Sequence, residues 1–285
     1  MKKYIYILAT VVAALSLASC TEKIGTVPGN DAFPVVTPYN YTPSSEYDAD
    51  TDQRVRFVSN GKATQAYYLV EKKADKLAEI ATKGEDAYIN KVIAEGTQIT
   101  IPAEGVFETV ITDMPGVYDI SVVASDGTNK TMSATTFDGI PWDTTTSIEG
   151  TYKIKNATAQ KAAGAASFPA VLQRHATDPT LYRIKGAFGP GTKLTFQTID
   201  MEGTASRGKY TFFRIPEQKL PFTYGSYGTV SARDFGYWQG DDAYITDMGY
   251  ESGIYADGYC FIAVQYYVTK GSLGYSLYDY FVPNN

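Results

Sequence analysis

The chain has 285 residues, 44% of them hydrophobic, and a formal net charge of −6 at pH 7, which allows about two domains with real cores. Its single His, His175, excludes any site built from two imidazoles, and its two Cys, Cys20 and Cys260, exclude a disulfide framework, a Cys-based zinc site and an iron–sulfur cluster. The acidity disfavours nucleic acid as a partner, and the remaining imbalance is 24 Tyr against two Trp.

Lys2 and Lys3 precede an apolar stretch, Tyr4 to Leu17, that is shorter than the ~20 residues a membrane-crossing helix needs. It ends in Leu17-Ala18-Ser19-Cys20. Small residues ahead of a Cys at the end of such a run resemble the lipobox of bacterial lipoproteins. The resemblance implies a signal peptide over 1–19, cleavage before Cys20, and acyl chains on Cys20 as the lipidation site. The membrane is then a partner through that residue, because several chains on one residue suffice for stable anchoring. Thr21 stands where enteric bacteria carry an inner-membrane retention Asp, so the expected address is the outer membrane, with the periplasmic or extracellular face open.

Residues 20–50 are rich in Pro, Thr, Ser, Asn and Asp without sustained periodicity and read as a lipidated tether, in which Val35-Val36 can begin a strand. Asp48, Asp50 and Asp52 form a D-x-D-x-D pattern that invites a calcium reading. Gln53 replaces the Gly an EF-hand needs and Ser59 replaces its last carboxylate, so a solvated acidic linker is the expectation.

A first domain is expected over 51–140. Strand alternation runs at Val55–Val58 and Thr64–Val70, and helical spacing follows from Glu71 to Ala81 with a Gly84 stop and from Glu85 to Glu95 with a Gly96 stop. Strand pattern resumes at Gln98–Ile101 and Phe107–Ile111. Met114-Pro115-Gly116-Val117-Tyr118-Asp119-Ile120 then resembles the Tyr corner and following strand of fibronectin type III or immunoglobulin-like sandwiches, with Asp126-Gly127 as the next hairpin turn. This implies such a sandwich with a short helical insertion, acting as a spacer.

A second domain is expected over 148–285. Strands are expected at Thr151–Lys155, Ala170–Arg174, Leu181–Lys185, Lys193–Thr198, Tyr210–Ile215, Gly228–Ala232, Ala243–Asp247, Cys260–Val268 and Tyr275–Val282. Turns are expected at Asp178-Pro179, Gly189-Pro190-Gly191, Glu202-Gly203 and Lys270-Gly271, and residues 158–167 read as a short helix or loop. The fold class is mainly β, with an antiparallel β-barrel or large sandwich after the first sandwich. Cys260 lies in an apolar run and reads as a buried, inert thiol. Asp178 to Ile184 with Leu194-Thr195-Phe196, taken with the lipobox and the sandwich, is similar to two-domain Bacteroidetes outer-membrane lipoproteins with a C-terminal calycin-like or related β domain. Many of those are associated with polysaccharide uptake, which implies a role in the cell envelope.

Fifteen of the 24 Tyr lie in 150–285. Residues 224–259 interleave aromatics with Gly and Asp, and Tyr237, Trp238, Asp241, Asp242 and Tyr244 form the candidate ligand-binding set. Sugars pair an apolar CH face with radial hydroxyls, so flat rings beside carboxylates suit them. The competing reading is ordinary strand packing of Tyr. Asp241, Asp242, Asp247 and Glu251 supply carboxylates for glycoside hydrolysis, but no nucleophile elbow, phosphate loop or metal-ligand spacing accompanies them. His175 reads as an exposed loop residue, so no catalytic residue, metal or cofactor is assigned. The expected function is non-catalytic, lipid-anchored binding of an extracellular glycan through the C-terminal domain. A structural or adhesive lipoprotein that binds an envelope protein is the alternative, and a weak glycosidase the third.

Overall fold

The computed structural model describes residues 33–240, 243–274 and 278–284. The expected signal peptide over 1–19 and the expected lipidation site Cys20 lie outside the described residues.

The first domain is a two-sheet sandwich with a helical layer added. Strands β1 (Val36–Tyr41), β2 (Gln53–Ser59) and β3 (Gln65–Lys72) lead into helices α1 (Lys73–Lys83) and α2 (Glu85–Glu95). Then come β4 (Thr97–Ile99), β5 (Val106–Ile111), β6 (Gly116–Ser125) and β7 (Lys130–Gly139). One sheet has the order β1-β2-β5 and the other β4-β3-β6-β7. Val55 and Phe57 of the first sheet meet Ile120, Val122 and Ala124 of the second in one core, with Tyr118 packed against it. This is the expected immunoglobulin/fibronectin-like sandwich with its insertion. The helices cover the outer face of the four-stranded sheet through Tyr88 and Val92 against Val123, which is why β6 is buried on both faces. A buried Lys76–Asp119 pair at 3.0 Å ties α1 to β6.

The two expected helix stops work differently. Gly84 takes φ +86°, which glycine adopts without strain. Gly96 has an ordinary φ of −75°; it is needed because a Cβ there would lie 2.3 Å from the Val92 carbonyl oxygen and 2.7 Å from that of Tyr68.

The second domain contains a closed eight-stranded antiparallel barrel. Its strands are β8 (Trp142–Lys153), β9 (Ser167–His175), β10 (Leu181–Lys185), β11 (Lys193–Ala205), β12 (Gly208–Arg214), β15 (Ser252–Tyr255), β16 (Cys260–Ile262) and β19 (Asp279–Pro283). A second sheet is inserted, with β13 (Gln218–Thr223), β14 (Thr229–Arg233), β17 (Gln265–Val268) and β18 (Gly271–Ser272) in that order. Three short helices complete the domain: α3 (Ala157–Ala163), α4 (Phe235–Gln239) and α5 (Ala243–Met248). Asn156 caps α3 by accepting from Ala159 N–H, and Gly164 ends it in the left-handed region.

Four expectations need correction. Val36–Tyr41 is a sandwich strand paired along its length with β2, so the tether expected over 20–50 gives way to structure well before Asp50. β8 starts at Trp142, ahead of the start expected for the second domain at 148. Ala243–Met248 is a helix and not the expected strand. Glu202-Gly203 lies within β11, where the register with β12 shifts between Thr198 and Glu202, and the chain turns later at Ser206-Arg207. The insertion of β13 and β14 between neighbouring barrel strands is a non-local feature that local alternation does not carry.

Candidate functional site at the open end of the barrel

Alternation sends every second side chain into the barrel. From β8 these are Thr146, Ile148 and Tyr152, with Ile154 just past its end, and the two ends of the series meet different surroundings. At one end Tyr152 and Ile154 share a continuous core with Leu220, Val230 and Tyr266 of the inserted sheet and with Ala159 of α3. That end is filled. At its centre Asp279 is fully buried and accepts from Tyr266 OH at 2.6 Å, Tyr152 OH at 3.2 Å and Lys155 N–H at 2.6 Å. Burial pushes the Asp279 carboxyl up to about 6, against the pull of these donors. Burial and the nearby Asp279 charge push both phenols well above their ordinary value.

The other end is open and forms a cavity of about 450 Å³. This is within the range of roughly 300–1,000 Å³ typical of small-molecule sites. Ile148, Leu172, Ile254 and Tyr182 give it an apolar lining, while Thr146, Arg174, Glu202, Lys209 and Thr211 give it hydroxyls and charges. The Tyr182 ring is held flat by stacking on Phe196, with centroids 5.4 Å apart and planes 6° from parallel. Lys209 pairs with Glu202 at 3.5 Å on the exposed rim. Gly258, at φ +85°, leaves room there, since a Cβ would stand 2.6 Å from Ile148 Cδ1. The chemistry available is a planar aromatic floor beside hydroxyls and one carboxylate, which suits binding.

The aromatic set singled out from sequence lies elsewhere. Tyr237 and Trp238 sit on α4 at 51% and 40% exposure. Asp234 anchors that helix: its buried carboxylate takes Arg214 at 2.8 and 2.9 Å and caps Tyr237 N–H at 2.9 Å. The Arg214 guanidinium in turn lies 5.5 Å from the Tyr237 ring centroid. Asp241 and Asp242 lie outside the described residues, as does the side chain of Tyr244. Neither Tyr237 nor Trp238 lines the barrel mouth. The mouth residues carried no sequence signal beyond strand alternation, because strands far apart in the chain assemble them.

Many of the remaining tyrosines pack on the barrel's outer wall. Tyr210 contacts Phe212, Tyr255 and Phe261, with centroids 4.9 to 5.4 Å apart. Gly253 and Gly203 provide the space, since a Cβ at either would run into the Tyr210 ring. Cys260 is buried and free, and burial pushes its thiol up, in keeping with an inert core residue.

Asp48, Asp50 and Asp52 are neither a solvated linker nor an open calcium loop. Asp48 and Asp50 dock onto the outer wall of the barrel. Arg183 of β10, only 2% exposed, reaches Asp48 at 3.0 Å and Asp50 at 2.7 Å, and its Nε donates to Gln173 at 2.9 Å. Lys185 pairs with Asp48 at 2.9 Å, Lys193 pairs with Asp50, and Trp142 Nε1 donates to Asp50 at 3.0 Å. Asp52 accepts from Asp48 N–H and Asp113 N–H at 2.9 and 3.1 Å. Burial acts to raise the Asp48 carboxyl, but hydrogen bonds and charge from Arg183 and Lys185 outweigh it and hold the group below its ordinary value. The carboxylates thus face ammonium and guanidinium groups, an environment that repels a metal ion.

In comparisons with protein-family models, curated proteins and solved structures, no family, protein or structure matched the chain.

Proposed function

We propose that the protein is a non-catalytic, lipid-anchored envelope protein that binds a saccharide in the open mouth of its C-terminal barrel. The observation that carries this reading is the cavity itself: a flat Tyr182 ring with apolar Ile148, Leu172 and Ile254 around it, and the hydroxyls of Thr146 and Thr211 beside it. Rings of that kind cover the CH face of a pyranose while the hydroxyls serve its polar edge. Glu202 is the one carboxylate among the described lining residues, so those residues supply no pair of acids for glycoside hydrolysis. The Leu17-Ala18-Ser19-Cys20 motif supports anchoring at Cys20 in the outer membrane, with the sandwich domain as spacer.

The test is a glycan-array screen of the full lipidated chain in non-ionic detergent. Binding is expected for the unaltered protein, is expected to be lost in Thr211→Trp, which fills the mouth, and is expected to persist in Trp238→Ala. Binding that survives Thr211→Trp and disappears in Trp238→Ala returns the site to α4. Mass spectrometry of the N-terminal peptide tests the anchor: acyl mass on Cys20, absent in Cys20→Ala. A second reading, docking of an envelope protein, is supported by exposed Tyr237, Trp238 and Met248 on the adjoining helices α4 and α5.

A further inference from the structure

We infer that the saccharide held in the mouth is an acidic one, and that its carboxylate or sulfate pairs with Arg174. The inference rests on the saccharide reading above and adds the charge of the ligand.

The charged groups around the mouth are accounted for one by one. Lys209 pairs with Glu202 at 3.5 Å. Arg207, next to the rim, pairs with Asp257 through Nε at 3.0 Å and Nη2 at 2.7 Å. Asp143 stands opposite Arg174 in the β8–β9 register, yet its oxygens accept from Thr145 N–H at 2.8 Å, Thr145 Oγ1 at 2.7 Å and Thr146 Oγ1 at 2.7 Å. Those donors hold its carboxyl down at about 2, so it stays charged but turned to its own loop. His175 points its Nδ1 at the Asp178 and Thr177 amides. Arg183 and Gln173, the alternate residues of β10 and β9, face the N-terminal aspartates on the other side of the wall. Among the described residues Arg174 is therefore the lining cation with no carboxylate partner.

Its position fits a sugar acid. Arg174 and Tyr182 are direct cross-strand partners and both line the cavity, so a guanidinium fork stands at the edge of a flat ring. A pyranose laid on that ring projects a C5 carboxylate or a sulfate ester from its own edge, and a bidentate pair with Arg is the strong form of that contact. The shape argues against the other anionic ligand a barrel suggests, a fatty acid. Below Leu172 the interior is closed by Phe196, Phe213 and Phe281, all nearly or wholly buried, and the Phe196 and Phe213 rings meet at 4.1 Å with their planes tilted by 32°. That leaves a shallow cup in place of a tunnel for an acyl chain.

Titration calorimetry of the full lipidated chain in non-ionic micelles tests this with three acidic tetrasaccharides, each beside a neutral counterpart. These are oligogalacturonate and its methyl ester, a glucuronate-containing oligosaccharide and its methyl ester, and chondroitin sulfate with its desulfated methyl ester. At least one acid is expected to bind about tenfold or more tighter than its ester, the scale of one charge-assisted pair. Arg174→Gln is expected to erase that preference, Arg174→Lys to keep part of it, and Trp238→Ala to leave it unchanged. If acids and esters bind alike, or if Arg174→Gln keeps the preference, the inference is overturned while saccharide binding stands. If no saccharide of any pair binds, both fail. If palmitate binds the mouth and the saccharides do not, the class of ligand is wrong. Unchanged circular dichroism of Arg174→Gln separates lost recognition from lost folding.

Discussion

The two ends of the barrel are made by the same eight strands, yet one is a core and the other a cup. At the filled end the chain leaves and re-enters the barrel through the inserted sheet, and Tyr266 of that sheet meets Tyr152 and Asp279 of the barrel wall. At the open end no inserted element among the described residues covers the inward residues, and Arg174, Glu202 and Lys209 reach water. The difference locates function within a uniform scaffold. Side chains at the filled end satisfy one another, whereas those at the mouth include a flat ring and a cation with no carboxylate partner among the described residues.

If that division is right, substitutions at the filled end should act on stability and those at the mouth on binding. The largest effect is expected from Tyr266→Ala, which empties a fully buried aromatic and leaves Asp279 with one phenol fewer. A loss of about 3–5 kcal/mol is expected in urea unfolding; a loss below about 1 kcal/mol would mean that the inserted sheet does not share the barrel's core.

Asp279 gives the filled end a pH signature. Its folded-state carboxyl is raised from 3.8 to about 6, so the folded state keeps a proton that the unfolded state releases. The contribution of Asp279 to stability is thus greatest below pH ~4, falls as pH rises through ~6, and is lower by roughly 3 kcal/mol above that. The difference in unfolding free energy between the unaltered protein and Asp279→Asn should follow that curve. A difference independent of pH from 4 to 7 would show that the carboxyl is not held in this way.

The side wall supplies the next contrast. Asp50→Ala removes an ion pair to Arg183 and Lys193 and the acceptor for Trp142, while Asp48 still holds Arg183. A loss of about 1.5–3 kcal/mol is expected by differential scanning calorimetry, the scale of hydrogen bonds to a charged group. Separation of the two domains into independent transitions in that variant would mark these contacts as what couples them.

How much of this was legible in the sequence depended on distance along the chain. The Tyr118 corner, the Gly84 reversal and the strand at Leu181–Lys185 follow from local pattern and stand where the sequence places them. Asp48 and Asp50 were misleading because their partners, Arg183 and Lys193, are more than 130 residues away. In isolation an alternating acidic run looks solvated. The Tyr237-Trp238 segment was misleading for the converse reason: its composition suits a sugar, but Asp234 and Arg214 already explain how it is held. The mouth was illegible because Thr146, Arg174, Tyr182 and Thr211 come from four strands, and closure of the barrel alone brings them together.

Two mouth substitutions sharpen the contrast from the other side. Gly258→Ala places a methyl group against Ile148 at a φ of +85°. It should cost about 1–2 kcal/mol for the left-handed backbone and crowd the cup, weakening saccharide binding. Arg174→Gln should change stability least of all, within about 0.5 kcal/mol, since its side chain is exposed and supports no buried neighbour. Equal melting temperatures for Arg174→Gln and the unaltered protein, together with lost preference for acidic saccharides, would fit a residue kept for recognition. A drop as large as that of Asp50→Ala would instead make Arg174 part of the wall, and the open end would lose its claim to be the functional one.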